Sequence, residues 1–305
     1  MAVTGAALRV GLLEELLQPA NAAELAERRG WADRHLVEAA LHSFAAHGLL
    51  EERGGRWRTS VRGRRILNDE FIRALYEAFS TYHTELYREL DRELTSGGQR
   101  HDIEVDGELI ARLSRSLDQF VFAELDRVVA GRPPRRLLDV GCGAAAHLLH
   151  LLRTVPGAKA VGVETDHAAA ALARAAVAGQ RLNDRAEIVE AEVTAFLDQR
   201  PQETFDLILV ANVVYYVPLP DRVALLRSLA ERLESGGQLV IVSTAKTNDS
   251  FSRHFDLLLR AQAGHLELPD FNVLCEQLTD VGLAPQVPRR IAPGEPLTAV
   301  VAHHK

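Results

Sequence analysis

The sequence predicts an α/β fold: a mostly parallel sheet of seven strands, covered by helices and finished by a C-terminal antiparallel hairpin, with a mainly helical domain in front. Three observations predict it. Short β-rich runs alternate with helical stretches from Arg135 onward; before that point, apolar residues recur every three or four positions; and the last two β-rich runs flank a Pro/Gly-rich loop. At 305 residues, 47% of them hydrophobic, the chain can bury a sizeable core and form two domains.

The first 68 residues are expected as helices closed by a small hairpin. Asn21 precedes an Ala/Leu-rich run and Glu24 follows three residues later, a capping-box pattern. Asp33 is placed to cap a second helix with apolar positions Leu36, Ala40, Leu41, Phe44 and Ala45, and Gly48 stops it. "GLLEERGGRWRTS" then reads as strand, Gly54-Gly55 turn and strand. This order of helix, helix and two-stranded wing resembles a winged helix. Such a module serves either DNA binding, with the basic stretch 53–65 on phosphates, or dimerisation. Residues 1–70 carry ten Arg against ten Asp plus Glu, so phosphate neutralisation is weak and a homodimer is the expected use.

Residues 69–130 are expected as a helical connector that doubles as a substrate lid, split near Gly97-Gly98. Its first piece repeats Phe71, Leu75, Phe79, Tyr82, Leu86 and Leu90 as one apolar stripe. Arg132-Pro133-Pro134 marks the boundary with the last domain, 131–305. There "RRLLDVG", "KAVGVET", "AEIVEAE", "FDLILVAN" and "GGQLVIVST" read as strands, and "HAAAALARAAVAGQRL" and "DRVALLRSLAERLES" as helices between them. "APQVPRRIAPGEPLTAVVAHHK" reads as the closing hairpin.

In an open α/β sheet the ligand sits where strand ends meet helix starts. Gly141, Gly143 and Ala146 satisfy the GxGxxA pattern of a dinucleotide site, but Asp139, two residues before Gly141, would be poorly placed beside a pyrophosphate. "LLDVGCGAA", "VGVETD", "IVEAEV", "FDLILVANVVYYV" and "LESGGQLVIVS" follow one another in the order and at the spacing of the class I S-adenosylmethionine-dependent methyltransferases. The chain resembles that family over residues 131–305, which implies a Rossmann-like domain. Its front part looks like the winged-helix dimerisation module of small-molecule methyltransferases of natural-product pathways.

The resemblance implies S-adenosylmethionine as cofactor and a role for each matching residue. Gly141 and Gly143 let the backbone approach the ligand. Asp139 would hold its ammonium end, and Glu164, 25 residues on, would accept hydrogen bonds from the ribose hydroxyls. Glu192 would accept from the adenine amino group beside the Val193 amide, and Asn212 would line the pocket under the methionine moiety. The competing reading is that acids at strand ends are solvated or cap helices, as Asp166 is placed to do.

For the acceptor side, winged-helix O-methyltransferases use a histidine just after the fourth strand, and Tyr215 stands there in this sequence. That departure leaves an oxygen, nitrogen or carbon acceptor open, although the Asp/Asn-Pro-Pro-Tyr motif of amide and adenine N-methyltransferases is missing. Catalytic candidates are Tyr215, His254 and His83; substrate-binding candidates are Tyr82, Tyr216 and Arg115, the last as a carboxylate grip. Some keto-acid C-methyltransferases of this architecture use a metal held by histidines. His254 and His265 stand eleven residues apart with no third ligand evident, so no metal is assigned.

A net charge of −7 with 25% charged residues points to neither nucleic acid nor an anionic membrane as partner. No secretory leader and no apolar run long enough to span a bilayer is evident, so a cytoplasmic protein is expected. Cys142 and Cys275 have neither a disulfide framework nor zinc spacing. The expected activity is methyl transfer to a small molecule, with a non-catalytic regulator that binds S-adenosylmethionine or DNA as the alternative.

Overall fold

The computed structural model describes residues 2–102 and 107–304. Contacts divide the chain into two compact units, Met1–Ser96 with His101–Ser116, and Gly97–Arg100 with Leu117–Lys305. The stretch expected as a connector is shared between them.

In the first unit, helices Ala22–Arg29 and Arg34–Ala46 begin as their caps dictate. Asn21 accepts from the Glu24 amide at 2.8 Å while the Glu24 carboxylate accepts from the Asn21 amide at 3.2 Å, and Asp33 accepts from the Leu36 amide at 3.0 Å. The strands β1 (Leu50–Arg53) and β2 (Arg56–Thr59) pair antiparallel, with Gly54 and Gly55 at φ 61° and 74°. Positive φ at both central residues is what a two-residue hairpin turn matching strand twist requires. Trp57 of β2 closes a core that includes Leu13, Leu16, Leu25, Leu41 and Leu49.

Two burial patterns differ from expectation. Leu36 is 66% exposed, because the core face of Arg34–Ala46 runs through Val37 together with the expected Leu41. On helix Glu70–Ser80 the fully buried positions are Ala74 and Ala78, not the aromatic stripe. Small residues belong there because helix Ala2–Arg9 approaches closely: a Cβ on Gly5 would collide with the Ser80 side chain. Phe71 is consequently exposed, and Leu75 and Phe79 are half-buried, while Tyr82 and Leu86 are buried.

Helix Val61–Asn68 presses on the end of the preceding helix-strand corner. A Cβ on its Gly63 would stand 2.6 Å from the Leu49 carbonyl oxygen. Gly63→Ala is therefore expected to destabilise the unit by about 1–3 kcal/mol despite alanine's better helix propensity, read as a lower denaturant midpoint at unchanged slope.

The second unit is built on one sheet. Its path is β5 (Ala186–Glu190), β4 (Lys159–Glu164), β3 (Arg136–Val140), β6 (Phe205–Ala211), β7 (Leu233–Thr244), β10 (Leu297–His304) and β8 (Leu283–Pro285), with the two-residue β9 (Arg289–Arg290) pairing β10. The first five strands run parallel and β10 is antiparallel to β7, β8 and β9. Alternate residues supply two separate cores. Leu137, Leu207, Leu209, Val240 and Val242 pack with helices Asp118–Gly131, Ala146–Thr154 and His167–Gly179, whereas Leu138, Val140, Ile208, Val210 and Ile241 pack with helices Arg222–Ala230 and Phe271–Asp280. A parallel sheet covered on both faces buries its central strands almost throughout, which explains their near-continuous apolar runs.

Asp118–Gly131 belongs with the sheet because its Val121, Leu125, Val128 and Val129 enter the first of these cores. Residues 97–100 join the same unit: the Arg100 amide donates to the Ala261 carbonyl at 2.9 Å and the Ala263 amide to the Arg100 carbonyl at 3.0 Å. Among the described residues, no helix is long and apolar enough to cross a membrane.

Candidate active site

The parallel register brings the expected cofactor residues to one edge of the sheet. Val140 stands beside Val163 and Val210, Glu164 beside Glu190, and Ala211 beside Val242. The helix after β3 lies on one face and the helix after β6 on the other, so the chain reverses direction between these two strands and leaves a crevice at their carboxyl ends. The turn after β3, the carboxylates after β4 and β5 and Asn212 after β6 all surround that edge.

Two glycines shape the turn for different reasons. Gly141 has φ 64°, and a Cβ on it would lie 2.5 Å from Val213 Cγ2, so the loop after β6 closes on bare backbone. Gly143 has φ 53° and no atom within 4 Å of where a Cβ would stand, so its backbone faces open space. Its amide donates to Glu164 Oε2 at 2.8 Å. Glu164 Oε1 accepts from the amides of Thr165 at 2.8 Å and Asp166 at 3.0 Å. The carboxylate is thus fixed by backbone donors on both oxygens, with further lone pairs left for a ligand diol. Asp166 instead caps helix His167–Gly179, accepting from Ala169 at 2.7 Å.

Asp139 shares the parity of Leu137 and faces the core under helices Asp118–Gly131 and Ala146–Thr154. It is 1% exposed, and its Oδ2 is buried without a hydrogen-bond partner. Burial pushes its carboxyl up to about 6, with His147 opposing the rise and Glu164 and Asp118 adding to it. A buried acceptor left unpaired is costly, which marks it as waiting for a donor from outside the chain. Burial also pushes the Cys142 thiol up, so that side chain is an inert wall of the turn.

Glu192 is exposed at the N-terminus of helix Val193–Gln199 and makes no side-chain cap bond, leaving its carboxylate and the Val193 amide available at the edge. Asn212 sits at φ 57°, a left-handed conformation that asparagine tolerates better than most residues, while its amide donates to the Val242 carbonyl at 2.8 Å.

Of the acceptor-side candidates in this unit, Tyr215 is buried and packs edge-on against Tyr216 at 4.5 Å and Phe255 at 5.4 Å. Burial pushes its phenol well above the ordinary value, and burial pushes that of half-buried Tyr216 up to about 12, so both stay protonated at neutral pH. His254, on helix Ser250–Arg260 next to Phe255, is pushed the other way: burial lowers its imidazole, which favours the neutral ring. Tyr82, His83 and Arg115 belong to the other unit. Tyr82 and His83 are buried, with the His83 ring stacked on Phe79 at 4.4 Å, and Arg115 is exposed.

A pair that sequence reading missed is Asp118 with His147, whose Nε2 lies 3.2 Å from Asp118 Oδ1 with both side chains about 15% exposed. The signal was present as complementary helix faces, Asp118, Phe122 and Asp126 at four-residue spacing against His147 and His150 at three.

S-adenosylmethionine, the cofactor implied by the resemblance, fits this donor set. Its ammonium answers the unpaired Asp139 oxygen, its ribose hydroxyls suit the fixed Glu164 carboxylate, and its adenine amino group suits Glu192; a pyrophosphate would meet three carboxylates. Residues 137–237, from β3 into β7, match the methyltransferase-domain family. This stretch is a methyltransferase domain, and the sheet carries the class I methyltransferase fold.

Among its relatives, the methyltransferase is 28% identical over 274 residues to the 3-hydroxy-5-methyl-1-naphthoate 3-O-methyltransferase of Streptomyces sahachiroi, covering 83% of this chain and 76% of the relative. It is 30% identical over 156 residues to the indolepyruvate C-methyltransferase of Streptomyces griseus, covering 48% of this chain and 45% of that one. In fold it is similar to an O-methyltransferase from neocarzinostatin biosynthesis, solved with S-adenosylmethionine and 2-hydroxy-5-methyl naphthoic acid, with a TM-score of 0.72 at 20% identity over 99% of this chain and 96% of that one.

Proposed function

We propose that the methyltransferase moves the methyl group of S-adenosylmethionine to a small-molecule acceptor of the natural-product kind, with aromatic hydroxy acids of naphthoate size as the first class to test. The observation that carries the cofactor half is the buried, unpaired Asp139 oxygen beside an open glycine turn. Similarity over most of the chain to a naphthoate O-methyltransferase supports the acceptor half. The partial match to a C-methyltransferase keeps a carbon acceptor as the second reading.

Bound S-adenosylmethionine supplies a methyl carbon on a positively charged sulfur, open to in-line attack. The chain's part is mainly to hold it: Asp139 takes the ammonium, Glu164 the ribose, Glu192 and the Val193 amide the adenine, and Gly141, Gly143 and Asn212 shape the backbone around the methionine end. Fixing donor and acceptor in line converts a bimolecular displacement into a local one, and that accounts for much of the acceleration. If the acceptor is a hydroxyl, its proton needs a base. Tyr215 and Tyr216, held protonated by burial, serve as wall and hydrogen-bond donors, and neutral His254 is the side chain in the right protonation state to accept a proton.

The chain acts as a homodimer in the cytoplasm in this account, joined through the helices of its winged-helix-like first unit. The half-exposed Phe71, Leu75 and Phe79 stripe and the exposed Leu36 support that use. The tripartite division, with a lid at 69–130 and acceptor contacts from Tyr82, His83 and Arg115, stands on the sequence; substituting a true acceptor contact raises KM for the acceptor and leaves cofactor affinity unchanged.

Transfer of a labelled methyl group to a panel of aromatic hydroxy acids, amines and keto acids tests the assignment. Labelled product on at least one acceptor class is expected, and tight cofactor binding without transfer to any of them would count for the regulator instead. With a hydroxyl acceptor, His254→Gln is expected to lower kcat about a hundredfold or more while Tyr215→Phe keeps most of the activity.

A further inference from the structure

Burial and most of the charged groups near Asp139 work against its charge, with a backbone hydrogen bond from Leu148 acting the other way. Glu164 from the end of β4 and Asp118 from helix Asp118–Gly131 repel it, the buried Cys142 thiol adjoins it, and its Oδ2 has no donor. The cation acting on it is His147, in the first turn of helix Ala146–Thr154. A protonated histidine at a helix N-terminus is disfavoured by the helix dipole, so something must hold the proton there. Asp118 does so: its Oδ1 is 3.2 Å from His147 Nε2 in a largely buried pair, and Phe122, one turn on, sets its ring edge-on to the imidazole at 5.8 Å. The neighbouring His150–Asp126 pair differs in having its carboxylate half in solvent.

We propose that Asp118 and His147 are positioning residues for the cofactor: Asp118 holds a protonated imidazole near Asp139, and that positive charge keeps Asp139 ionised and ready for the ammonium end of S-adenosylmethionine. The proposal rests on the assignment of Asp139 above and adds the pair that maintains its charge. Burial works to lower the His147 imidazole, but the Asp118 hydrogen bond and the charges of Asp139 and Asp118 outweigh it and leave it raised. The sign of the pH dependence follows. Asp139 accepts a proton as pH falls through about 6, and an ammonium ligand then loses its partner, so cofactor affinity falls on the acid side. Without the imidazolium, the Leu148 backbone hydrogen bond alone still favours the ionised carboxyl against burial and the repulsion from Glu164 and Asp118, and the same loss begins nearer neutrality. Above pH 8 Asp139 is ionised with or without His147.

The experiment is calorimetric titration with S-adenosylhomocysteine, which keeps the ammonium and ribose, from pH 6 to 8.5, on the full chain and on His147→Gln, Asp118→Asn and Asp139→Asn. His147→Gln is expected to match the parent at pH 8.5 and to bind about fivefold more weakly at pH 6, since raising the Asp139 midpoint from about 6 by about one unit cuts its ionised fraction there from about a half to about a tenth. In the unsubstituted protein the His147 ring resonances are expected to titrate above the ordinary histidine value, and to move down in Asp118→Asn and in Asp139→Asn. Equal affinities at every pH, a uniform loss at every pH, or a His147 titration unmoved by both carboxylate substitutions would overturn the proposal while leaving the cofactor site intact. Binding unaffected by Asp139→Asn, or no binding by the parent at any pH, would instead remove the assignment on which it rests. The ring titration keeps the proposal testable if His147→Gln fails to fold.

Discussion

Asp139→Asn is expected to weaken S-adenosylhomocysteine binding by about a hundredfold or more and, in the same protein, to raise stability. The binding loss follows from removing the charged partner of a buried ammonium, an interaction whose disruption costs about 3–5 kcal/mol. The stability gain follows from the direction of the shift. Asp139 is raised from 3.8 when unfolded to about 6 when folded, so the native state holds its proton more tightly and stability falls as pH rises through that window. Above it the ionised carboxylate costs up to about 3 kcal/mol, which an uncharged isostere does not incur. Chemical denaturation at pH 7 and pH 4 checks this: the gain should be present at neutral pH and shrink toward the unfolded value of 3.8. A site residue whose removal stabilises the empty protein is the usual sign of a group retained for its ligand.

Glu164→Ala is the second large effect. Glu164 accepts from the amides of Gly143, Thr165 and Asp166, so its loss both deletes the expected ribose acceptor and frees the donors that fix the turn. Charge-assisted hydrogen bonds contribute about 1.5–3 kcal/mol each, which puts the expected loss in cofactor affinity at roughly a hundredfold. Comparing S-adenosylhomocysteine with its 2′-deoxy analogue separates the two causes. The substitution should cost much less with the deoxy compound, and an identical loss with both would mean that Glu164 only supports the loop.

Most of the second unit was legible because a doubly covered parallel sheet writes its strands as apolar runs. β3, β4, β5 and β6 fall within a residue or two of "RRLLDVG", "KAVGVET", "AEIVEAE" and "FDLILVAN". β7 begins at Leu233, before the expected run, because Gly236 at φ 72° carries the strand through an irregularity that reads as a turn in sequence. The closing hairpin was visible, but not that its first arm breaks into β8 and β9 along β10. Local chemistry also read well: the Asn21–Glu24 box, the Gly54-Gly55 turn and the Asp166 cap involve neighbours in sequence.

What did not read was long-range. Which face of Arg34–Ala46 or Glu70–Ser80 is buried depends on the helix packed against it, so Leu36 and Phe71 turned out exposed and Ala74 and Ala78 buried. Asp118 and His147 meet across 29 positions, between a helix expected in the connector and the first helix of the sheet. Within the site, motif position located the carboxylates, but only the structure showed that Glu164 is braced by the glycine turn and that one oxygen of Asp139 lacks a partner.

A calorimetric titration of the chain with S-adenosylhomocysteine at pH 7.5, set beside one with NADH, bears most directly on all of this. Carboxylates at the tips of β3, β4 and β5 predict saturable binding of the phosphate-free nucleoside, strongly reduced by Asp139→Asn, and no measurable heat with the dinucleotide. Tight binding of NADH with none of S-adenosylhomocysteine would contradict it.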